Sequence, residues 1–255
     1  AVPPGGRCTG PWQCDDAPAH APPQPRQTPP VDAPAPDLLR SRLADARLMW
    51  IFSPPSLEEG LAVLEQVLPH VDVVQVRPKA PGAHRVPTEA RTARDWTRAV
   101  LGVTGRPADG GPLVLVNDRV DVACLLASEG CGGVHLGQDD LPCVEARALL
   151  GEAPLLGLST HDADQLGAAL DAPVDYLGFG PVFATATKGY REGLGPDRAW
   201  IASTAATVPV FPIGGIDLVG AAELGQVGRA AVSSVLQDAR DPARTARALR
   251  GLLTP

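Results

Sequence analysis

Along most of the chain, short apolar runs alternate with longer stretches in which apolar residues recur every three or four positions. The runs are Leu48–Phe52, Val71–Val76, Leu113–Val116, Gly133–Leu136, Leu155–Leu158, Tyr176–Phe179, Val210–Ile213 and Ala230–Ser233. Between them Leu57, Leu61, Leu64 and Leu68, or Val144, Ala148 and Leu149, keep the spacing of one helix face. The pattern predicts eight units of strand followed by helix. None of the runs alternates apolar with polar residues, which marks strands buried on both faces, as in a parallel sheet covered by helices. An α/β chain with eight such units predicts a (β/α)8 TIM barrel, with a doubly wound open sheet as the weaker alternative. Ahead of the first run the pattern is absent. Residues 1–36 hold 11 of the 28 prolines and few β-branched or aromatic residues, too little to offset the entropy of ordering them. Residues 1–40 are therefore expected to be a disordered Pro/Ala-rich tail, and residues 41–255 the barrel.

A barrel places the residues that follow each strand at one open end. Polar residues concentrate there: Gln75-Val76-Arg77-Pro78-Lys79 after the second run, Asn117-Asp118-Arg119 after the third, and His135 to Asp140 across the end of the fourth. Ser159-Thr160-His161 follows the fifth, Thr185-Ala186-Thr187-Lys188 the sixth and Gly214-Gly215 the seventh. Two of these connections, Ala80–Pro87 and Gly180–Gly195, are long enough to carry substrate contacts.

Composition narrows the classes of function. The 255 residues include 29 Asp and Glu against 22 Lys and Arg, a net charge of −7, with 44% hydrophobic and 20% charged residues. That is the balance of a globular protein, and an acidic chain without a basic block is not suited to nucleic acid or an anionic membrane. The longest uncharged window, Ala199–Ile216, contains Ser203, Thr204, Pro209, Pro212 and the Gly214-Gly215 pair, so it is not read as a membrane span. No basic segment followed by an apolar run opens the chain, and the five cysteines lack paired metal-site spacing. A cytoplasmic protein with reduced thiols is expected. Nothing in the pattern sets an oligomeric state.

Within an acidic chain, Arg77, Lys79 and Lys188 face the isolated carboxylates Asp118 and Asp140 at one mouth. Cations with a carboxylate pair suit a phosphorylated ligand, because Mg2+ binds one or two carboxylates together with phosphate oxygens. Ile213-Gly214-Gly215-Ile216 and Val232-Ser233-Ser234 fall after the seventh and eighth strands, where barrels commonly bind phosphate. Two phosphate sites imply two phosphorylated substrates. Plainer roles are open at each position: Asp118 and Asp140 as helix caps, Gly214-Gly215 as a tight turn, His161 as a hydrogen-bonded support, Lys188 as a solvated charge.

The residues also carry a family resemblance. Gln75-x-Arg77-x-Lys79, Val116-Asn117-Asp118, Gly133-Val134-His135-Leu136-Gly137-Gln138-Asp139-Asp140-Leu141-Pro142, Gly157-Leu158-Ser159, Gly180-Pro181-Val182-Phe183-x-Thr185-x-Thr187-Lys188 and Ile213-Gly214-Gly215-Ile216 resemble thiamine-phosphate synthases, in order, from about residue 48 to 250. The resemblance implies a transferase that joins a hydroxymethylpyrimidine diphosphate to a thiazole phosphate, giving thiamine phosphate and pyrophosphate. It implies that Gln75, Arg77, Lys79, Asn117, Ser159 and Lys188 hold the pyrimidine diphosphate, with Arg77, Lys79, Ser159 and Lys188 acting in catalysis. Asp118 and Asp140 would hold Mg2+. Thr185, Thr187, Gly215, Val232 and Ser233 would bind the thiazole phosphate, with Ser234 the alternative at one residue's shift. Pro78 stands where the family usually has Glu. The alternatives are a thiazole tautomerase of the same superfamily, which has no use for metal or diphosphate, and a non-catalytic regulator that binds a thiazole or thiamine phosphate.

Overall fold

A computed structural model describes residues 35–78, 88–184 and 192–253. Eight strands form one parallel sheet: β1 (Leu48–Phe52), β2 (Val73–Val76), β3 (Leu113–Asn117), β4 (Gly133–Leu136), β5 (Leu155–Thr160), β6 (Tyr176–Phe179), β7 (Val210–Pro212) and β8 (Ala230–Val232). Their order is β7-β6-β5-β4-β3-β2-β1-β8, and an isolated bridge between Ile213 and Ala231 brings the two edges together. This is the eight-unit barrel, not an open sheet. The helices that follow the strands are α2 (Leu57–Val67), α3 (Ala90–Thr104), α4 (Val120–Leu126), α5 (Cys143–Leu150), α6 (Ala163–Leu170), α7 (Pro196–Ala205), α8 (Leu218–Glu223) and the pair α9 (Ser234–Gln237) and α10 (Pro242–Leu252). Among the described residues, no helix is long and apolar enough to cross a membrane.

Strand residues divide between two cores, because successive side chains point to opposite faces. Outward-facing Leu48, Trp50, Phe52, Val74, Val76, Val114 and Val134 pack under the helices with Leu64, Val100 and Leu249. Inward-facing Met49, Ile51, Val73, Leu115, Leu155, Tyr176 and Phe211 fill the lumen. Every strand residue but two, Leu158 and Ser159, is buried, which is why the runs read as continuously apolar.

The lumen core also contains Leu39, Leu43 and Ala46, each 1% exposed. Leu39 and Leu43 lie on α1 (Pro36–Asp45), which closes the end of the barrel opposite the mouth. Its Arg40 bonds the Glu152 carbonyl and Asp175, and its Arg42 bonds the Pro107 carbonyl, all in connections that lead into strands. The tail expected through residue 40 is thus corrected over Pro36–Arg40. Pro36 and Asp37 start a helix in the positions that favour them, and Leu39 and Leu43, one turn apart, supply its apolar face. Compositional bias from the preceding prolines hid this short signal. The rest of the expected tail, residues 1–34, lies outside the described residues.

Two aspartates tie the strand starts together at the closed end. Asp72, just ahead of β2, accepts at its carboxylate from the Arg47 and Leu48 amides and from Arg250, while its own amide and carbonyl bond the Leu48 carbonyl and the Leu113 amide. Asp175, 9% exposed at its side chain, accepts from Arg40, Arg147 and the Leu156 amide. Breaking a pair this buried leaves uncompensated charge, a loss of about 3–5 kcal/mol. Asp175→Ala is expected to lower the urea midpoint strongly without changing the m-value, and an unchanged midpoint would show that this network carries no stability.

Candidate active site

At the carboxyl ends of the strands a cavity of about 430 Å3 opens. Arg77 and Ser159 line it together with Gly214, Gly215, Val232, Ser233 and Ser234, so residues predicted for both phosphate sites share one space. Gln75, Asn117, Asp118 and Asp140 are outside this lining. Lys79, Thr185, Thr187 and Lys188 lie outside the described residues.

Arg77 follows β2 directly, its amide bonded to the Phe52 carbonyl at 2.8 Å. Burial lowers its guanidinium from the ordinary value, and the charge of Asp118 opposes that shift. A guanidinium retains its proton under such pressure, so the wall carries a partly desolvated positive charge. Asn117, at the end of β3, is 6% exposed, and its Nδ2 has no hydrogen-bond partner among the described residues. A buried amide donor in that condition is destabilising unless a ligand accepts from it.

Asp118 is the one non-glycine residue with positive φ, +64°, among the described residues. Its amide bonds the His135 carbonyl at 2.8 Å, fixing the left-handed turn that follows β3. It does not cap α4: the capping position is Arg119, with no side-chain cap bond, and Arg119 turns away to pair with Asp121. Asp140 does not cap α5 either, since Pro142 holds that position. One Asp140 oxygen accepts from the Gly137 amide at 2.6 Å and closes its own loop. Neither aspartate occupies the capping position of the helix that follows it. Among the described residues no group of three or more His, Cys, Asp or Glu side chains could hold a metal ion. Two carboxylates in the company of substrate oxygens and water are a donor set that suits Mg2+.

Across the cavity, Gly214 and Gly215 have φ of +99° and +65°, and a Cβ on Gly215 would sit 2.4 Å from the Ala184 carbonyl oxygen. The turn therefore requires glycine for both conformation and clearance. Pairing of Val182 and Phe183 with the Ile213 and Gly214 carbonyls brings the chain after β6 against it. Ser233 donates its hydroxyl to the Ile51 carbonyl at 3.1 Å. Asp217, which also faces the cavity, is committed to the Gly220 amide at the start of α8.

His161 is the hydrogen-bonded support the sequence allowed for. Its Nδ1 lies 2.6 Å from the Gly180 carbonyl oxygen, which can only accept, so Nδ1 carries the proton. Two residues without an assigned role in the sequence join the site from below. His135 bonds Ser159 Oγ through Nε2 and Tyr176 Oη through Nδ1, both at 2.9 Å. Tyr176 sits within an apolar run, so periodicity alone files it as core, and His135 counts only as one of the polar residues at the end of its strand; the signal that could have singled them out is a lumen position in strands whose neighbours are glycine.

Comparison with known proteins gives a consistent picture. Residues 48–236 match the family model described as thiamine monophosphate synthase. A thiamine-phosphate synthase of Synechococcus sp. (strain WH7803) is 47% identical over 144 residues, 56% of this chain and 40% of that one. The chain thus spans about two fifths of that relative's length. A thiamine-phosphate synthase of Mycobacterium sp. (strain KMS) is 41% identical over 190 residues, 72% of this chain and 80% of that one. Among solved structures, the thiamine phosphate pyrophosphorylase from Pyrococcus furiosus aligns with a TM-score of 0.66 at 27% identity, covering 84% of this chain and 97% of that one.

Proposed function

Since the chain belongs to the thiamine monophosphate synthase family, we propose that it condenses 4-amino-2-methyl-5-(diphosphooxymethyl)pyrimidine with a thiazole phosphate to give thiamine phosphate and pyrophosphate. The observation that carries this reading is the shared cavity: Arg77 and Ser159 face Gly214, Gly215 and Ser233 across one space. A tautomerase or a regulator handling a single phosphate accounts for only one of these walls.

Bond changes follow from the charges. The bond between the pyrimidine methylene and the diphosphate oxygen breaks, its electron pair leaving with pyrophosphate, and the thiazole nitrogen forms the new bond to the methylene carbon. Negative charge grows on the departing oxygens, where Arg77 and the Ser159 hydroxyl stabilise it most. By family position Lys79 and Lys188 add to this field. Asn117 Nδ2 supplies a donor to the pyrimidine half, and the Gly214-Gly215 turn holds the thiazole phosphate from the other side. Asp118 and Asp140 would hold Mg2+, which when bound adds positive charge at the diphosphate. No general base is required of the residues lining the cavity.

The setting proposed is the cytoplasm. Cys124, Cys131 and Cys143 are free thiols, and burial pushes Cys131 up to about 12, far from a reactive thiolate.

Asp118→Asn tests the metal assignment. Asn tolerates positive φ as well as Asp does, so the variant is expected to fold with an unchanged melting temperature yet turn over more slowly. The readout is thiamine phosphate, made fluorescent by oxidation, as a function of Mg2+ concentration. Wild-type turnover at saturating Mg2+ would remove Asp118 from the metal site.

A further inference from the structure

Strand register aligns His135 on β4, Gly157 on β5 and Tyr176 on β6 in one row, with Ser159 and Gly178 paired in the next row toward the mouth. The glycines make room for the rings. A Cβ on Gly157 would lie 2.1 Å from Tyr176 Cζ, and one on Gly178 would lie 3.3 Å from His135 Cε1. The two rings stack with centroids 5.4 Å apart. Tyr176, Gln75 and His135 are 0%, 2% and 8% exposed, so water does not set their hydrogen-bond directions.

Those directions can be assigned in sequence. Burial pushes the Tyr176 phenol far above its ordinary value, so the phenol keeps its proton; the Gln75 side chain, whose Nε2 also lies 3.9 Å from Met49 Sδ, opposes that rise, as a donor to the phenol oxygen does. The phenol's single proton then goes to His135 Nδ1, 2.9 Å away. A neutral imidazole that accepts at Nδ1 carries its proton on Nε2, which faces Ser159 Oγ at 2.9 Å. Having accepted there, Ser159 has its own proton to donate, and Ser159 lines the cavity.

We propose that Gln75, Tyr176 and His135 form a one-way hydrogen-bond chain that commits the Ser159 hydroxyl to donate toward an anionic oxygen in the cavity. His135 and Tyr176 are positioning residues: they act through Ser159 and touch no substrate. The inference rests on the synthase reading above for the identity of the anion, the diphosphate.

Two measurements test it. In 15N-histidine-labelled wild-type protein, with the His135 resonances assigned by their loss in His135→Gln, NMR is expected to show the Nε2–H tautomer. The Nδ1–H tautomer overturns the proposal. Kinetically, Tyr176→Phe and His135→Leu are expected to lower kcat roughly 10- to 100-fold, the range for one hydrogen bond to a charged group, with KM for the thiazole phosphate unchanged. His135→Gln, which keeps a donor toward Ser159, should recover part of the loss. In a Ser159→Ala background His135→Leu should cost nothing further. An equal loss in both backgrounds makes His135 merely structural and overturns the chain. Tyr176→Phe removes a single oxygen and keeps the ring that fills the core, so it reads the effect even if His135→Leu fails to fold. Should wild-type protein make no thiamine phosphate, the synthase reading falls while the tautomer still decides the chain.

Discussion

Replacing Lys188 with Ala is expected to lower kcat for thiamine phosphate formation by roughly 30- to 1,000-fold, the range for removing one preorganised charge contact of about 2–4 kcal/mol. The family motif assigns Lys188 to the diphosphate, whose charge grows as its bond to the methylene breaks, so the contact strengthens toward the transition state. Arg77 alone among the described residues supplies a cation to the cavity lining, which leaves a large share of that charge to Lys79 and Lys188. Binding of the thiazole phosphate should change little, because its proposed site, the Gly214-Gly215 turn and the end of β8, is a separate one. Single-turnover measurement of product, with KM for each substrate, checks both halves. A Lys188→Ala protein forming thiamine phosphate at the wild-type rate would refute the assignment.

Deleting residues 1–45 is expected to abolish cooperative folding, whereas deleting residues 1–34 should move the melting temperature by no more than a few degrees. The difference is α1. Leu39 and Leu43 are core residues of the lumen, and losing a buried leucine typically costs about 2–5 kcal/mol each. Together they approach the whole stability of an ordinary domain, about 5–15 kcal/mol. The longer deletion also removes Arg40 from Asp175 and uncovers Met49, Leu113 and Leu155 at the closed end. Circular dichroism melting and dye binding of the two truncations separate them; a cooperative transition near the wild-type temperature in the longer deletion would show that the plug is dispensable.

The strands were legible because a parallel barrel buries both faces, so eight apolar runs mark eight strands nearly residue for residue. The departures have local causes. Val71 and Asp72 precede β2, with the Asp72 carboxylate holding the Arg47 and Leu48 amides, while Ser159 and Thr160 remain paired with Gly178 and Phe179 although polar, so β5 outruns its apolar segment. Polar residues after each strand located the mouth, and the resemblance supplied their roles. What the sequence withheld was anything set by lumen contact. Nothing in the spacing shows that Gln75 meets Tyr176 across the barrel, that His135 bonds both Tyr176 and Ser159, or that Asp118 sits in a left-handed turn and not at a helix start.

The seam between β7 and β8 gives the barrel a weakest joint. Where other neighbouring strands share three or more paired residues, these two meet at the single bridge from Ile213 to Ala231, and Pro212 has no N–H to contribute. Amide exchange in the unliganded protein should therefore begin there, as a local opening well below the energy of global unfolding. The Gly214-Gly215 turn lies on one side of the seam and Ser233 on the other. An anion held by both acts as a clasp, and at a hundredfold excess over its Kd it would slow that exchange by the equivalent of about 2.7 kcal/mol.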